Sequence, residues 1–166
     1  MNSTGQVVAA GTLEALAALT ANPPARTRVI PLNVAGAFHT THMAPAVAEL
    51  AARAATVDPT DPRITLLSNA DGTAVTSGAQ ALARLVAQVA NPVRWDLCQR
   101  TMMELGVTGM LELAPAGVLA GLARRTLPGV ETVAVKTPAD LDAARDLVRR
   151  HGGTTPHIPN TQEIPS

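Results

Sequence analysis

Short apolar runs alternate along this chain with stretches whose apolar residues recur every three to four positions, and proline or glycine stands near most of the changes. Runs at 6–10, 28–34, 64–67, 109–113 and 131–135 read as strands, and the periodic stretches as helices. Strands alternating with helices argue for an α/β layer with a mainly parallel sheet. Local chemistry marks the helix boundaries. Thr12 caps a first helix with Leu13, Leu16 and Ala17 on one face, stopped by Asn22-Pro23-Pro24. Met43, Val47, Leu50 and Ala54 form the stripe of a second. Ser77-Gly78-Ala79-Gln80 has the outline of a capping box and opens a third, with Leu82, Leu85, Val86 and Val89 inward. Asn91-Pro92 reads as the start of a fourth, capped by Asn91. Residues 118–125 read as a fifth, and Thr137-Pro138 opens the last, with Leu141, Ala144, Leu147 and Val148 inward.

Composition bounds what such a layer can be. At 166 residues the chain suits one domain, and its 46% apolar content is supplied by Ala, Val and Leu, with one Phe, one Trp and no Tyr. That core relies on small side chains and close approach. Thirteen basic residues balance thirteen acidic ones, so no electrostatic footprint for nucleic acid is expected. The single Cys98 excludes an internal disulfide and suits a reducing cytosol. No apolar run approaches the ~18 residues of a membrane span, and no signal-peptide pattern opens the chain. The expectation is a cytoplasmic protein without membrane contact.

The stretch most suggestive of chemistry is Gly36-Ala37-Phe38-His39-Thr40, following the strand-like run at 28–34. Histidine ionises nearest neutrality, and on a strand-to-helix turn it suits general base work. Yet no Gly-x-Ser-x-Gly elbow supplies a nucleophile. Ser3, Ser68, Ser77 and Ser166 fall in a hairpin, a loop, a cap and the tail. These residues look like half of an active site. Taken singly, each has a plainer reading. His39 alone reads better as structural, Phe38 as core, Trp95 as a packing anchor and Cys98 as a small buried hydrophobe. Gln88 reads equally as a helix-end hydrogen bonder. Arg124-Arg125 reads first as a solvated helix end and second as a surface for an acidic partner. His39 and His42 lack companion carboxylates or thiols, and zinc sites need three or four ligands, so no metal is expected.

Five segments in order resemble one family. They are Asn2-Ser3-Thr4-Gly5-Gln6-Val7-Val8-Ala9-Ala10-Gly11, Gly36-Ala37-Phe38-His39-Thr40 with Met43, and Ser68-Asn69-Ala70-Asp71-Gly72, then Gln88-Val89-Ala90-Asn91-Pro92-Val93-Arg94-Trp95 and Glu112-Leu113-Ala114-Pro115-Ala116-Gly117-Val118-Leu119. Together they are similar to the malonyl-CoA:acyl carrier protein transacylases, bacterial acyltransferases of fatty acid biosynthesis.

The resemblance implies an α/β fold: a partial α/β-hydrolase-like acyltransferase subdomain plus the C-terminal part of an inserted ferredoxin-like lobe. Residues 1–35 would belong to that lobe, 36–150 to the C-terminal part of the large subdomain, and 151–166 to a disordered tail. It implies malonyl transfer from malonyl-CoA to the phosphopantetheine thiol of acyl carrier protein, through a serine outside this chain. His39 would be the general base, with its other ring nitrogen held by the backbone carbonyl of Gln88. Phe38 would wall the acyl pocket, and Asn2 and Gln6 would lie near the substrate cleft. No cofactor is implied, malonyl-CoA being substrate. The implied partners are malonyl-CoA, acyl carrier protein and the N-terminal half of the same enzyme. Two alternatives stand beside this: a non-catalytic remnant or carrier-protein-binding module, and an acyltransferase segment of a polyketide synthase.

Overall fold

The computed structural model describes residues 1–153 except Thr4; the tail expected from 154 onward lies outside the described residues. The chain divides into two compact units, Met1–Trp95 and Asp96–Ser166.

In the first unit, α1 (Leu13–Ala21) begins at Thr12, whose hydroxyl accepts the Ala15 N–H at 3.2 Å. A 3-10 turn (Thr41–Met43) leads into α2 (Ala44–Ala54), which packs against α3 (Gly78–Gln88). Before α3 stands a small antiparallel hairpin of β1 (Leu66–Leu67) and β2 (Ala74–Val75), with Leu66 opposite Val75. Two acceptors serve the α3 N-terminus: the Ser77 hydroxyl takes the Gln80 N–H at 3.4 Å, and the Asp61 carboxylate takes the Gly78 N–H at 2.8 Å. Gly78 is demanded by space, since a Cβ there would lie 2.3 Å from the Thr60 carbonyl oxygen.

In the second unit, β3 (Gly109–Glu112) and β4 (Glu131–Ala134) pair in parallel, with Gly109 opposite Glu131 and Glu112 opposite Ala134. The connection between them is α5 (Val118–Thr126), so 109–134 is a βαβ unit. The helices α4 (Trp95–Glu104) and α6 (Leu141–His151) complete it. Its buried apolar residues are Cys98, Ala120, Leu122, Ala123, Leu127, Ala144 and Leu147, a core in which leucines stand beside alanines and one cysteine.

Several elements differ from the sequence reading. Runs 6–10 and 28–34 are not strands; the only bridge near them joins Ser3 and Gln6, among the described residues. Val7, Val8, Ile30, Leu32 and Val34 are each more than half exposed. A strand needs a ladder partner as well as a β-favouring sequence, and these runs find none among the described residues. Asn91-Pro92 does not open α4, which starts three residues later at Trp95. Leu85, Leu141 and Val148, expected inward, are exposed, while Ala144 and Leu147 are buried. Among the described residues no helix is long and apolar enough to cross a membrane.

Candidate active site

Where a strand was expected to end, the backbone turns sharply. The Thr40 hydroxyl closes residues 37–40 by donating to the Ala37 carbonyl at 2.7 Å. Within that turn His39 has φ +64°, in the left-handed region that side chains other than glycine seldom adopt. Two bonds hold it there. Its backbone N–H donates to the Val89 carbonyl at 2.9 Å, and its ring Nδ1 lies 2.7 Å from the Gln88 carbonyl oxygen.

Both carbonyls sit at the end of α3, where the last acceptors lack helical partners and carry the negative end of the helix dipole. A carbonyl only accepts, so the proton resides on Nδ1 and Nε2 is left as the basic nitrogen. His39 is exposed, so Nε2 is within reach of a reactant. The Phe38 ring stands beside it, with ring centroids 6.3 Å apart and planes tilted by 58°, and is 52% exposed. Asn2 and Gln6 form a separate tight turn: the Asn2 N–H donates to the Gln6 carbonyl at 3.1 Å, and Gly5 supplies φ +92°.

The Ser68–Gly72 loop is joined to α3 through Asp71. The Gly72 N–H donates to the Ser68 carbonyl at 2.8 Å, and the Arg84 guanidinium reaches both Asp71 carboxylate oxygens at 2.8 and 2.9 Å. Burial raises the Asp71 pKa, but bonds from the Thr73 hydroxyl and N–H and the Arg84 charge outweigh it, leaving the carboxyl below its ordinary value. Arg84 lies one helical turn before Gln88, so this ion pair ties the loop to the helix whose end holds His39. The sequence reading did not find this pair; an Asp in a hairpin loop and an Arg on a helix thirteen residues later carry no pairing signal.

Glu112 explains the last of the five segments. Its carboxylate accepts the N–H groups of Gly117, Leu119 and Ala120 at 2.8–3.0 Å, capping α5 from the end of β3. Gly117 takes φ +123° to bring its N–H round. Among the described residues no three His, Cys, Asp or Glu side chains gather as a metal group would require.

The malonyl CoA-acyl carrier protein transacylase of Mycobacterium tuberculosis is 55% identical to this chain over 146 residues, which is 88% of the chain. The crystal structure of MCAT from Mycobacterium tuberculosis superposes on 86% of it with a TM-score of 0.82. This chain belongs to the malonyl CoA-acyl carrier protein transacylase family. It spans about half the length of the relatives it matches: 48% of the curated Mycobacterium tuberculosis transacylase and 47% of the crystallised chain. A further transacylase of this kind, solved in complex with a type II PKS acyl-carrier protein, is 32% identical with a TM-score of 0.67, over 72% of this chain and 38% of that one. No family model matches the chain. The α/β architecture is that of these transacylases.

Proposed function

We propose that this chain supplies the histidine-bearing half of a malonyl transferase that moves malonyl from malonyl-CoA to the phosphopantetheine thiol of acyl carrier protein. The observation that carries this reading is the His39 ring held through Nδ1 on the Gln88 carbonyl, in a chain 55% identical to a transacylase. In the first half-reaction His39 Nε2 takes the proton of a serine hydroxyl on the N-terminal half as that oxygen attacks the thioester carbonyl. The C–S bond breaks, and the imidazolium returns the proton to the departing CoA sulfur. In the second, Nε2 takes the proton of the carrier's thiol, the thiolate attacks the seryl ester, and the serine oxygen leaves with that proton.

The N-terminal half is also the proposed cover for the exposed apolar runs around Val7, Val8, Ile30, Leu32 and Val34. Asn2 and Gln6 are proposed substrate-cleft residues, and the cytoplasm is the proposed compartment.

The test mixes this chain with the separately produced nucleophile-bearing half of a relative and follows malonyl transfer to holo acyl carrier protein by intact mass. Transfer appears in the mixture and not with the chain alone. A stable malonyl adduct on any serine of the isolated chain overturns the division of labour. A mixture that assembles and binds carrier protein without transfer favours the binding-module reading.

Phe38 is proposed to set acyl choice. Its ring crowds a 2-methyl branch, and one methyl group discriminates by roughly 1–3 kcal/mol. Phe38→Ser therefore raises the kcat/KM ratio of methylmalonyl-CoA over malonyl-CoA while malonyl transfer persists. An unmoved ratio removes Phe38 from the pocket.

A further inference from the structure

The end of α3 is fastened by two side chains that the proposed reaction does not use. The Ala87 carbonyl accepts the Asn91 side-chain amide at 2.7 Å. The Gln88 side-chain amide reaches the other way and donates to the Asn91 and Pro92 carbonyls, at 2.9 Å each. Residues 87–92 are thus bridged twice, in opposite directions. The backbone does less here: the Ala90 N–H to Ala87 and the Asn91 N–H to Gln88 are both long, at 3.3 Å. Pro92 lacks an N–H and biases Asn91 away from helical backbone, so the helix cannot continue to strengthen the turn. Asn91 is exposed and buries little. Its contribution lies in this bond.

The carbonyls framed by the crossed amides are the two that hold His39, Gln88 on the ring and Val89 on the backbone N–H. We infer that the side-chain amides of Asn91 and Gln88 are positioning groups for His39: the crossed bridge sets the direction of these carbonyls, and through them the tautomer and aim of the imidazole. The inference rests on the reading of His39 as the base, but its direct consequence is a tautomer ratio and not a rate.

The experiment labels the histidines of the full chain with 15N and reads the His39 ring nitrogens at a pH where the ring is neutral. The wild-type ring is in the Nδ1–H form. Asn91→Asp, nearly isosteric, removes one donor, and Gln88→Leu removes the other while keeping the carbonyl. Each moves the ratio about five-fold toward Nε2–H, the equivalent of one hydrogen bond. Ala87→Ser alters the same turn on an exposed face with both amides intact and leaves the ratio alone. Amide spectra establish the fold of each variant; if Asn91→Asp does not fold, Gln88→Leu decides. A wild-type Nδ1–H ring unmoved in the folded variants overturns the positioning role and leaves the base assignment standing. An equal shift in Ala87→Ser likewise overturns it, because any disturbance of the turn would then suffice. A wild-type ring in the Nε2–H form overturns both.

Discussion

Removing the imidazole of His39 from a protein that joins this chain to the nucleophile-bearing half lowers kcat for malonyl transfer about 10²–10⁴-fold, the usual range for loss of a general base. KM for malonyl-CoA changes little, because in the proposed role the ring acts on the proton in flight and not on the carboxylate or the CoA portion. The substitution needs care. Alanine at φ +64° adds backbone strain to the loss of the base. Asparagine tolerates the left-handed region, so His39→Asn separates the two effects. Both variants should lose turnover alike if proton transfer is the cause, whereas a turn collapsed by strain spares His39→Asn. Steady-state assays with malonyl-CoA and holo carrier protein decide it. Near-wild-type turnover in His39→Asn removes the histidine from the chemistry.

The second large effect is on stability. Glu112 is 7% exposed and serves three backbone donors of α5. Burial raises its pKa, but the N–H groups of Ala120, Gly117 and Leu119 and the nearby Lys136 charge more than offset this, and the carboxyl ends below its ordinary value. A carboxyl lowered in the folded state stabilises above its unfolded pKa, and that contribution is lost as the pH falls through the folded one. Glu112→Ala strips the cap and costs roughly 2–4 kcal/mol, read as a drop in urea midpoint at neutral pH. Glu112→Gln keeps the shape, loses the charge and costs less. The gap between wild type and Glu112→Gln narrows on acidification below the ordinary glutamate range. A gap that is independent of pH shows that the charge contributes nothing.

The βαβ segment was legible because its signals are local. The runs at 109–113 and 131–135 and the helix at 118–125 each fall within one residue of β3, β4 and α5. The misreadings share a cause: periodicity names a face without saying what covers it. Val148 keeps helical register with the buried Ala144 and Leu147 yet is more than half exposed, and Leu85 is more than half exposed on a stripe whose Leu82, Val86 and Val89 are only half-buried. The runs at 6–10 and 28–34 have strand composition without strand partners among the described residues. Asn91 shows another limit, since an Asn before Pro suits either end of a helix. Its side chain closes α3 and does not open α4.

At the candidate site, Phe38 and His39 were visible as the lone phenylalanine beside an imidazole. The carbonyl facing the ring entered only through the family resemblance, and the left-handed backbone of His39 left no mark in the sequence. Nothing in residue type distinguishes a histidine at φ +64° from one in a strand.

A backbone acceptor for the imidazole has a consequence for genetics. Every amino acid at position 88 carries the same carbonyl, so a complete side-chain scan of Gln88 never deletes the group that holds the ring. The acceptor yields only to chemistry on the main chain. An ester in place of the amide between Gln88 and Val89, made by ligation, leaves every side chain intact and weakens the oxygen itself, which codon changes can at most redirect.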